Sequence, residues 1–319
     1  MARPVGRFAP TPSGYLHLGN LFCSLIAWLA AKSRGGEIIL RNEDLDVERS
    51  RKEYALQAQR DLDALGLFWD QGGDKGGPHS PYDQSQRFDF YRVQLEKLEA
   101  QGRVYPCFCS RAQLHAASAP HASDGELLYN GACRDLTPEQ VAEKRRTRSP
   151  ALRLRVPEET IAFTDLHYGP QAQHLPTGCG DFILRRSDGV YAYQLAVVAD
   201  DGAMDVTQVV RGRDLLSSTP RQILLYRLLG YPVPEFGHTP LLLAGDGRRL
   251  SKRDGDQSLS GILSRGYSPR DVVGGLAYLG GLLPEPAPAW PEELLPLFSW
   301  EKLPREDISL PGSLFSGSR

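Results

Sequence analysis

The sequence predicts an α/β protein built around a parallel sheet, and three observations carry that prediction. A short apolar run at Val5–Ala9 reads as a strand. Leu21, Phe22, Leu25, Ile26 and Leu29 then recur at helical spacing until Gly35 and Gly36 stop the run. EIILRNEDL, residues 37–45, follows as a second strand. Strand, helix and strand in such short succession make a βαβ unit, which sets the two strands parallel and places ligand groups at their carboxyl ends.

The remaining elements follow in order. Residues 50–66 and 85–101 read as helices joined by a Gly/Pro/Asp-rich loop, QGGDKGGPHSPYDQ. From Tyr105 to about Pro176 the pattern breaks into short pieces that hold most of the cysteines, which predicts an insertion. A second strand-rich section runs from GDFILRRSDGVYAYQLAVVADD to VTQVVRG and is followed by a helix, TPRQILLYRLLG. The tail after Lys252 is mostly helical, interrupted at PEPAPAWP, and the chain shows no internal repeat.

Composition narrows the class. With 319 residues, 41% hydrophobic and 24% charged, the chain has the make-up of a globular protein with a sizeable core. The longest apolar run, Leu21–Ala31, is about half of the roughly 20 residues a spanning helix needs, and no secretory leader pattern is present. A cytoplasmic protein without membrane contact is expected. A net charge of −2 removes the generic argument for nucleic acid, so any such partner must use a local patch. EKRRTRSPALRLR is the candidate, with Lys144, Arg145, Arg146, Arg148, Arg153 and Arg155; a solvated helix end is the alternative.

The first strand-to-helix turn, RFAPTPSGYLHLGN, crowds two prolines, two glycines and a histidine ahead of the helix. Gly14 and Gly19 permit close backbone approach, and a helix start offers unpaired N–H groups and a positive dipole end. That combination suits an anion, with His17 and Asn20 placed to donate to phosphate oxygens. The alternative for the turn alone is an ordinary βα connection with a solvated histidine. A second Gly-flanked loop, GDGRRLSKRDG, carries Lys252 among basic neighbours.

Together, HLGN after the first strand and LSKR late in the chain resemble the HIGH and KMSKS signatures of class I aminoacyl-tRNA synthetases. With RNEDLD, YQLAVVADD, VVRGRDLL and TPLLLAGDGRRLSKRDG in the same order, residues 5–255 resemble the glutamyl branch. The resemblance implies a Rossmann-type nucleotide-binding domain with a zinc-containing insertion and a short helical C-terminal subdomain. The expected boundaries are 1–84 and 181–240 for the two halves of the catalytic domain, 85–180 for the insertion, and 241–319 for the KMSKS-like loop and helical tail, with no anticodon-binding domain.

The implied reaction is attack of a glutamate carboxylate on the α-phosphorus of ATP, with Mg2+ travelling on the nucleotide. His17, Gly19, Asn20 and Lys252 are the expected ATP contacts, with His17, Asn20 and Lys252 acting on charge that builds on the leaving phosphates. Glutamate is assigned to Arg7, Ala9, Thr11, Glu43, Tyr193 and Arg211 by the same resemblance. The residue types fit: arginine offers only donors, which a carboxylate satisfies and a glutamine amide does not, and Glu43 suits the ammonium group. For Arg211 alone, a surface ion pair with Asp214 is the simpler expectation.

Five cysteines in a protein of this kind argue against a disulfide framework. Cys23 and Cys179 read as small core residues, whereas CFC and YNGAC bring Cys107, Cys109 and Cys133 into a pattern suited to zinc. Three thiolates leave one tetrahedral position for another side chain or water. Tyr129, His115 and His121 are the candidates, and the YPCFCS and LYNGAC pair resembles the structural zinc insertion of a truncated glutamyl-synthetase relative, which points to Tyr129.

Only 67 residues follow Lys252, and YQLAV stands where charging relatives usually read YHLAN. Both features resemble the glutamyl-queuosine tRNA(Asp) synthetases. That family implies glutamate activation without tRNA, followed by transfer to the queuosine cyclopentenediol in the anticodon loop of tRNA(Asp). A monomer is expected. The alternatives are a truncated glutamyl- or glutaminyl-tRNA synthetase that charges a 3′ end, and an inactive zinc-containing RNA-binding paralogue.

Overall fold

The computed structural model describes residues 3–110, 128–248, 250, 257–312 and 314–315. His115, His121 and Lys252 lie outside the described residues. Along the first half run β1 (Val5–Phe8), α1 (Leu18–Lys32), β2 (Glu37–Leu40), α2 (Lys52–Ala64), β3 (Gln71–Gly72), α3 (Phe88–Ala100), β4 (Val104–Cys107), α4 (Pro138–Thr147) and β5 (Ala151–Leu154). The second half adds β6 (Thr160–Asp165), β7 (Gly169–His174), β8 (Ile183–Arg185), α5 (Tyr193–Ala203), β9 (Gln208–Gly212), α6 (Thr219–Leu229), β10 (Glu235–Thr239), β11 (Leu242–Leu243), α7 (Pro269–Leu279) and β12 (Ile308–Ser309).

The expected βαβ unit forms as read. β1 and β2 pair in parallel, Val5 opposite Glu37 through Phe8 opposite Leu40, and β3 extends this sheet beside β2. α1 is apolar almost all round, and Leu21, Phe22, Leu25, Ile26 and Leu29 are fully buried. Each such side chain contributes about 1.5–3 kcal/mol relative to leaving it in water. Gly36 ends the run for a steric reason: a Cβ there would stand 2.3 Å from the Pro4 carbonyl oxygen. The second strand stops at Leu40 rather than continuing to Leu45, because Arg41 to Glu43 turn into a buried polar site.

A second sheet has the order β7-β6-β10-β9, with β9, β10 and β6 mutually parallel and β6–β7 an antiparallel hairpin. The two sheets meet where β1 lies beside β9: the Thr207 amide donates to the Val5 carbonyl at 3.0 Å, and Arg7 Nη1 donates to the Val210 carbonyl at 2.7 Å. Strand order therefore reverses between β1 and β9, where open α/β sheets place their ligand crevice. A small antiparallel sheet, β4-β5-β8, carries the cysteine-rich section. The tail returns to the body, where β12 pairs with β11 and α7 packs in the same core as α1. Among the described residues no helix is long and apolar enough to cross a membrane.

Candidate active site

The carboxyl ends of β1, β2 and β9 open on a cavity of about 410 Å³. Its lining includes Arg7, Ala9, Thr11, Asn20, Glu43, Tyr193 and Arg211, so residues far apart in sequence converge on one crevice. His17 and Gly19 are not among the lining residues; His17 is the N-cap of α1 and Gly19 lies in its first turn, next to Asn20, which does line the cavity.

His17 is the N-cap of α1 and forms a reciprocal box with Asn20: the Asn20 amide donates to His17 Nδ1 at 3.3 Å, and the His17 amide donates to Asn20 Oδ1 at 3.2 Å. Because Nδ1 accepts, the neutral imidazole carries its proton on Nε2, and the Asn20 amide group keeps its Nδ2 donors. Gly19 eases this packing, since a Cβ there would stand 3.1 Å from the His17 ring and the ring would have to give by a few tenths of an ångström. Ser258 forms a backbone bridge to His17, and Leu250 is buried in the α1 core. The chain on either side of Lys252 is thus anchored beside the helix start.

Arg211, at the end of β9, is 4% exposed and does not form the surface ion pair with Asp214 that its sequence context suggested. Its acceptors are all neutral: His238 Nε2 at 3.0 Å, Gln222 Oε1 at 2.7 Å, Thr219 Oγ1 at 2.8 Å and the Leu215 carbonyl at 3.2 Å. Burial lowers its pKa from the usual arginine value. Arg7 is equally enclosed, and its buried Nε has no hydrogen-bond partner. Glu43 accepts from Arg41 Nη2 at 3.2 Å, and burial raises its carboxyl pKa against the opposing pull of Arg41 and Arg7. Burial likewise raises the Tyr193 phenol. The crevice therefore presents two guanidinium groups and one carboxylate with little water around them.

A network not singled out from the sequence holds this crevice. Arg41 is fully buried; its Nη1 donates to Asp201 Oδ1 at 2.6 Å, and its Nε lies 3.7 Å from Asp200 Oδ2. Asp200 also accepts from Arg87 Nε at 2.7 Å, Gln84 Nε2 at 2.7 Å and Tyr91 OH at 2.8 Å. Asp201 reaches Arg7 Nε at 3.8 Å. Gln194 links Ser218 to Gln222, and through Gln222 to Arg211. Val197 is buried in the core behind β9 and does not line the cavity.

In the small sheet, the sulfurs of Cys107, Cys109 and Cys133 lie within 4.8 Å of one another. Cys109 and Cys133 sulfurs are 3.6 Å apart, and the Tyr129 hydroxyl is 3.6 Å from Cys107 Sγ and 3.8 Å from Cys109 Sγ. Sulfurs on a tetrahedral zinc, each ~2.3 Å from the ion, sit roughly 3.8 Å apart, so the donor set has the right chemistry and spacing for zinc. The Cys133 amide donates to the Tyr129 oxygen at 2.7 Å, and the Phe108 amide to Cys133 Sγ at 3.4 Å, which suits anionic ligands. Arg153 is part of this cluster rather than of an exposed basic patch: its guanidinium stacks 3.9 Å from the Tyr129 ring centre, and its Nη1 donates to the Asp181 carbonyl. Arg148 donates to the Phe108 carbonyl, Arg155 pairs with Asp135, and Lys144, Arg145 and Arg146 remain exposed on α4.

A parallel α/β sheet with this first turn and crevice is the framework of a class I synthetase catalytic domain. The family described as "tRNA synthetases class I (E and Q), catalytic domain" matches residues 5–285. A protein of Symbiobacterium thermophilum named glutamyl-Q tRNA(Asp) synthetase is 58% identical over 96% of this chain and 95% of its own length. One of the same name from Nitratidesulfovibrio vulgaris is 47% identical over 97% and 96%. A glutamate–tRNA ligase of Symbiobacterium thermophilum is 43% identical, and the chain spans 57% of its length. A crystal structure of a glutamate tRNA ligase from Elizabethkingia meningosepticum in complex with its amino acid superposes with a TM-score of 0.83 at 28% identity, over 98% of this chain and 68% of that one. The chain belongs to the class I tRNA synthetases of the E and Q type and, within them, to the glutamyl-Q tRNA(Asp) synthetase family, two of whose members it matches over nearly their full length.

Proposed function

We propose that this enzyme activates L-glutamate with ATP, without needing tRNA, and passes the glutamyl group to the queuosine cyclopentenediol of tRNA(Asp). The observation that carries the amino-acid half is Arg211, a buried cation whose hydrogen-bond acceptors in the protein are all neutral, in the same cavity as Glu43 and as Arg7, whose Nε makes no hydrogen bond and stands 3.8 Å from Asp201. Such a site is incomplete without an anion. A side-chain carboxylate on Arg7 and Arg211 with an ammonium group near Glu43 satisfies all three, whereas glutamine leaves buried charge underpaired. Ala9, Thr11 and Tyr193 line the same cavity and would contact the bound substrate.

With glutamate held, its α-carboxylate oxygen attacks the α-phosphorus of Mg2+-bound ATP, the Pα–O bond to pyrophosphate breaks, and glutamyl-adenylate forms. His17 Nε2–H and Asn20 Nδ2–H donate to phosphate oxygens at the start of α1, and Lys252 supplies a cation to the departing pyrophosphate. Preorganisation of these donors is the contribution of this chain, because the capping box fixes both side chains before substrate arrives. In the second step a queuosine hydroxyl attacks the activated carbonyl and AMP leaves. Cys107, Cys109, Cys133 and Tyr129 would hold one zinc ion, which ties β4 to the segment before α4 and takes no part in the chemistry.

Two measurements test this reading. Pyrophosphate exchange should proceed with glutamate in the absence of tRNA. Radiolabelled glutamate should enter tRNA(Asp) that carries queuosine, should not enter the queuosine-free transcript, and should persist when nuclease trims the 3′ end. Loss of label on trimming alone would return the protein to the enzymes that charge a 3′ end. Absence of any glutamate-dependent exchange would leave an inactive RNA-binding relative.

A further inference from the structure

Arg211 would be the specificity-determining cation of the crevice, and its orientation depends on a residue that does not reach the cavity. His238, in β10, is fully buried and stacks on Phe236 with ring planes 13° apart. Its Nδ1 lies 2.6 Å from Asp165 Oδ2, while its Nε2 receives the Arg211 Nε–H at 3.0 Å. Arginine Nε can only donate, so His238 Nε2 must accept and Nδ1 must carry the proton. Asp165 holds that tautomer and is itself fixed by the His167 and Tyr168 amides at 3.0 and 2.8 Å. Burial, reinforced by the Arg211 charge and opposed by Asp165, lowers the His238 pKa to about 4, so the ring is neutral in ordinary buffers. The ion pair suggested by the short Asp165 contact is therefore a hydrogen bond from a neutral imidazole to a carboxylate.

We propose that His238 is a positioning residue for glutamate selectivity: locked in one tautomer by Asp165, it turns the Arg211 guanidinium toward the cavity while leaving its charge uncompensated. This rests on the reading of Arg211 as the clamp for the substrate side-chain carboxylate. Four of the five Arg211 N–H groups are taken up by His238, Gln222, Thr219 and Leu215, so the plane of the guanidinium is set. Because every one of those acceptors is neutral, the fold fixes direction without neutralising the cation. Arg41 shows the contrast, since Asp201 and Glu43 pair with it directly and leave it a structural ion. A carboxylate oxygen at the position of His238 Nε2 would also orient Arg211, but it would remove the demand for an anionic substrate.

The test compares His238→Asn with His238→Gln in tRNA-free pyrophosphate exchange, read as separate KM values for glutamate and ATP and as the preference for glutamate over glutamine. Asparagine can reproduce the Nδ1–H bond to Asp165 but offers Arg211 no acceptor; glutamine reaches the Nε2 position and can accept from Arg211. His238→Asn should raise the glutamate KM by about tenfold or more, the scale of one lost hydrogen bond to a charged group, and erode the preference over glutamine, with the KM for ATP unmoved. His238→Gln should restore most of both. Equal loss in the two variants, or loss in neither, overturns the positioning role. If His238→Asn does not fold, His238→Gln decides alone, and a glutamate KM raised as far as in Arg211→Ala overturns it. A parent enzyme that shows no glutamate-dependent exchange instead removes the reading of the crevice itself, and the inference with it.

Discussion

Arg41 Nη1 and Asp201 Oδ1 meet at 2.6 Å in the interior, with Arg41 fully buried and Asp201 almost so. The pair is the centre of a lattice in which Arg7, Arg41 and Arg87 face Glu43, Asp200 and Asp201. Burial raises the Asp200 carboxyl pKa, while Arg41 and Arg87 pull it down. The lattice couples β2, the end of α5 and the crevice wall into one rigid unit.

Removing Arg41 should therefore cost far more than its own contacts. Arg41→Met leaves Asp200 and Asp201 buried beside one cation fewer, and a loss on the order of 3–5 kcal/mol is expected. Urea denaturation of the purified variant measures it. A loss under about 1 kcal/mol would mean that the acids relax into water and that the lattice does not hold the site.

The His17 and Asn20 box separates folding from chemistry. Asn20→Asp keeps the Oδ1 acceptor for the His17 amide but loses the Nδ2 donors and adds charge next to the phosphates. Stability should stay within about 0.5 kcal/mol of the parent while glutamate activation falls by roughly a hundredfold. Asn20→Ala should lose about 1 kcal/mol as well, because the cap is broken too. Matching activity in Asn20→Asp and the parent would show that Asn20 serves the helix only.

The contrast between those two sites explains what was legible in the sequence. The βαβ unit is readable because apolar residues at helical spacing and a glycine stop are local signals, and the helices read at 50–66 and 85–101 form at 52–64 and 88–100. The crevice residues were named through motif order; composition alone gave no reason to bring Arg7, Glu43 and Arg211 together. Arg41, Asp200 and Asp201 stood in quoted motifs yet passed unremarked, although charges directly after the apolar runs EIIL and QLAVVA are a usable sign of burial with partners. His238 and Asp165 gave no such sign, since their bond links strands 73 residues apart. For Arg211, only the motif points to the crevice; its sequence neighbours alone suggest a surface ion pair with Asp214, because burial belongs to the sheet and not to those neighbours.

Zinc binding is checked most sharply at Tyr129. Atomic absorption of the purified protein should give about one zinc per chain. Cys107→Ser or Cys133→Ser should lose metal and lower the melting temperature. Tyr129→Phe keeps the ring under Arg153 and deletes only the oxygen, so zinc should bind at least tenfold more weakly in competition with a chelator. Unaltered affinity would assign the fourth position to water, His115 or His121.

The last expectation concerns pH and follows from the neutral state of His238. Its pKa is about 4 in the folded protein, against about 6.5 in an unfolded chain. Between those values the unfolded state binds a proton that the folded state does not. Stability from this group is thus complete above about pH 6.5 and is lost as the pH falls toward 4. Asp165 acts in the same sense but lower, because its hydrogen bonds from His238 and the Tyr168 and His167 amides outweigh burial and depress its pKa below the usual carboxyl value. Glu43 and Asp200, whose pKa values burial raises, act in the opposite sense in parent and variant alike. Subtraction removes them. His238→Gln has no imidazole to protonate, so the stability difference between parent and variant should shrink by about 2 kcal/mol from pH 7 to pH 5. Urea titrations of both proteins at the two pH values measure it. A difference that stays constant would mean that His238 takes up its proton at the same pH in the fold as in the unfolded chain, so that at pH 5 Nε2 could no longer accept from Arg211.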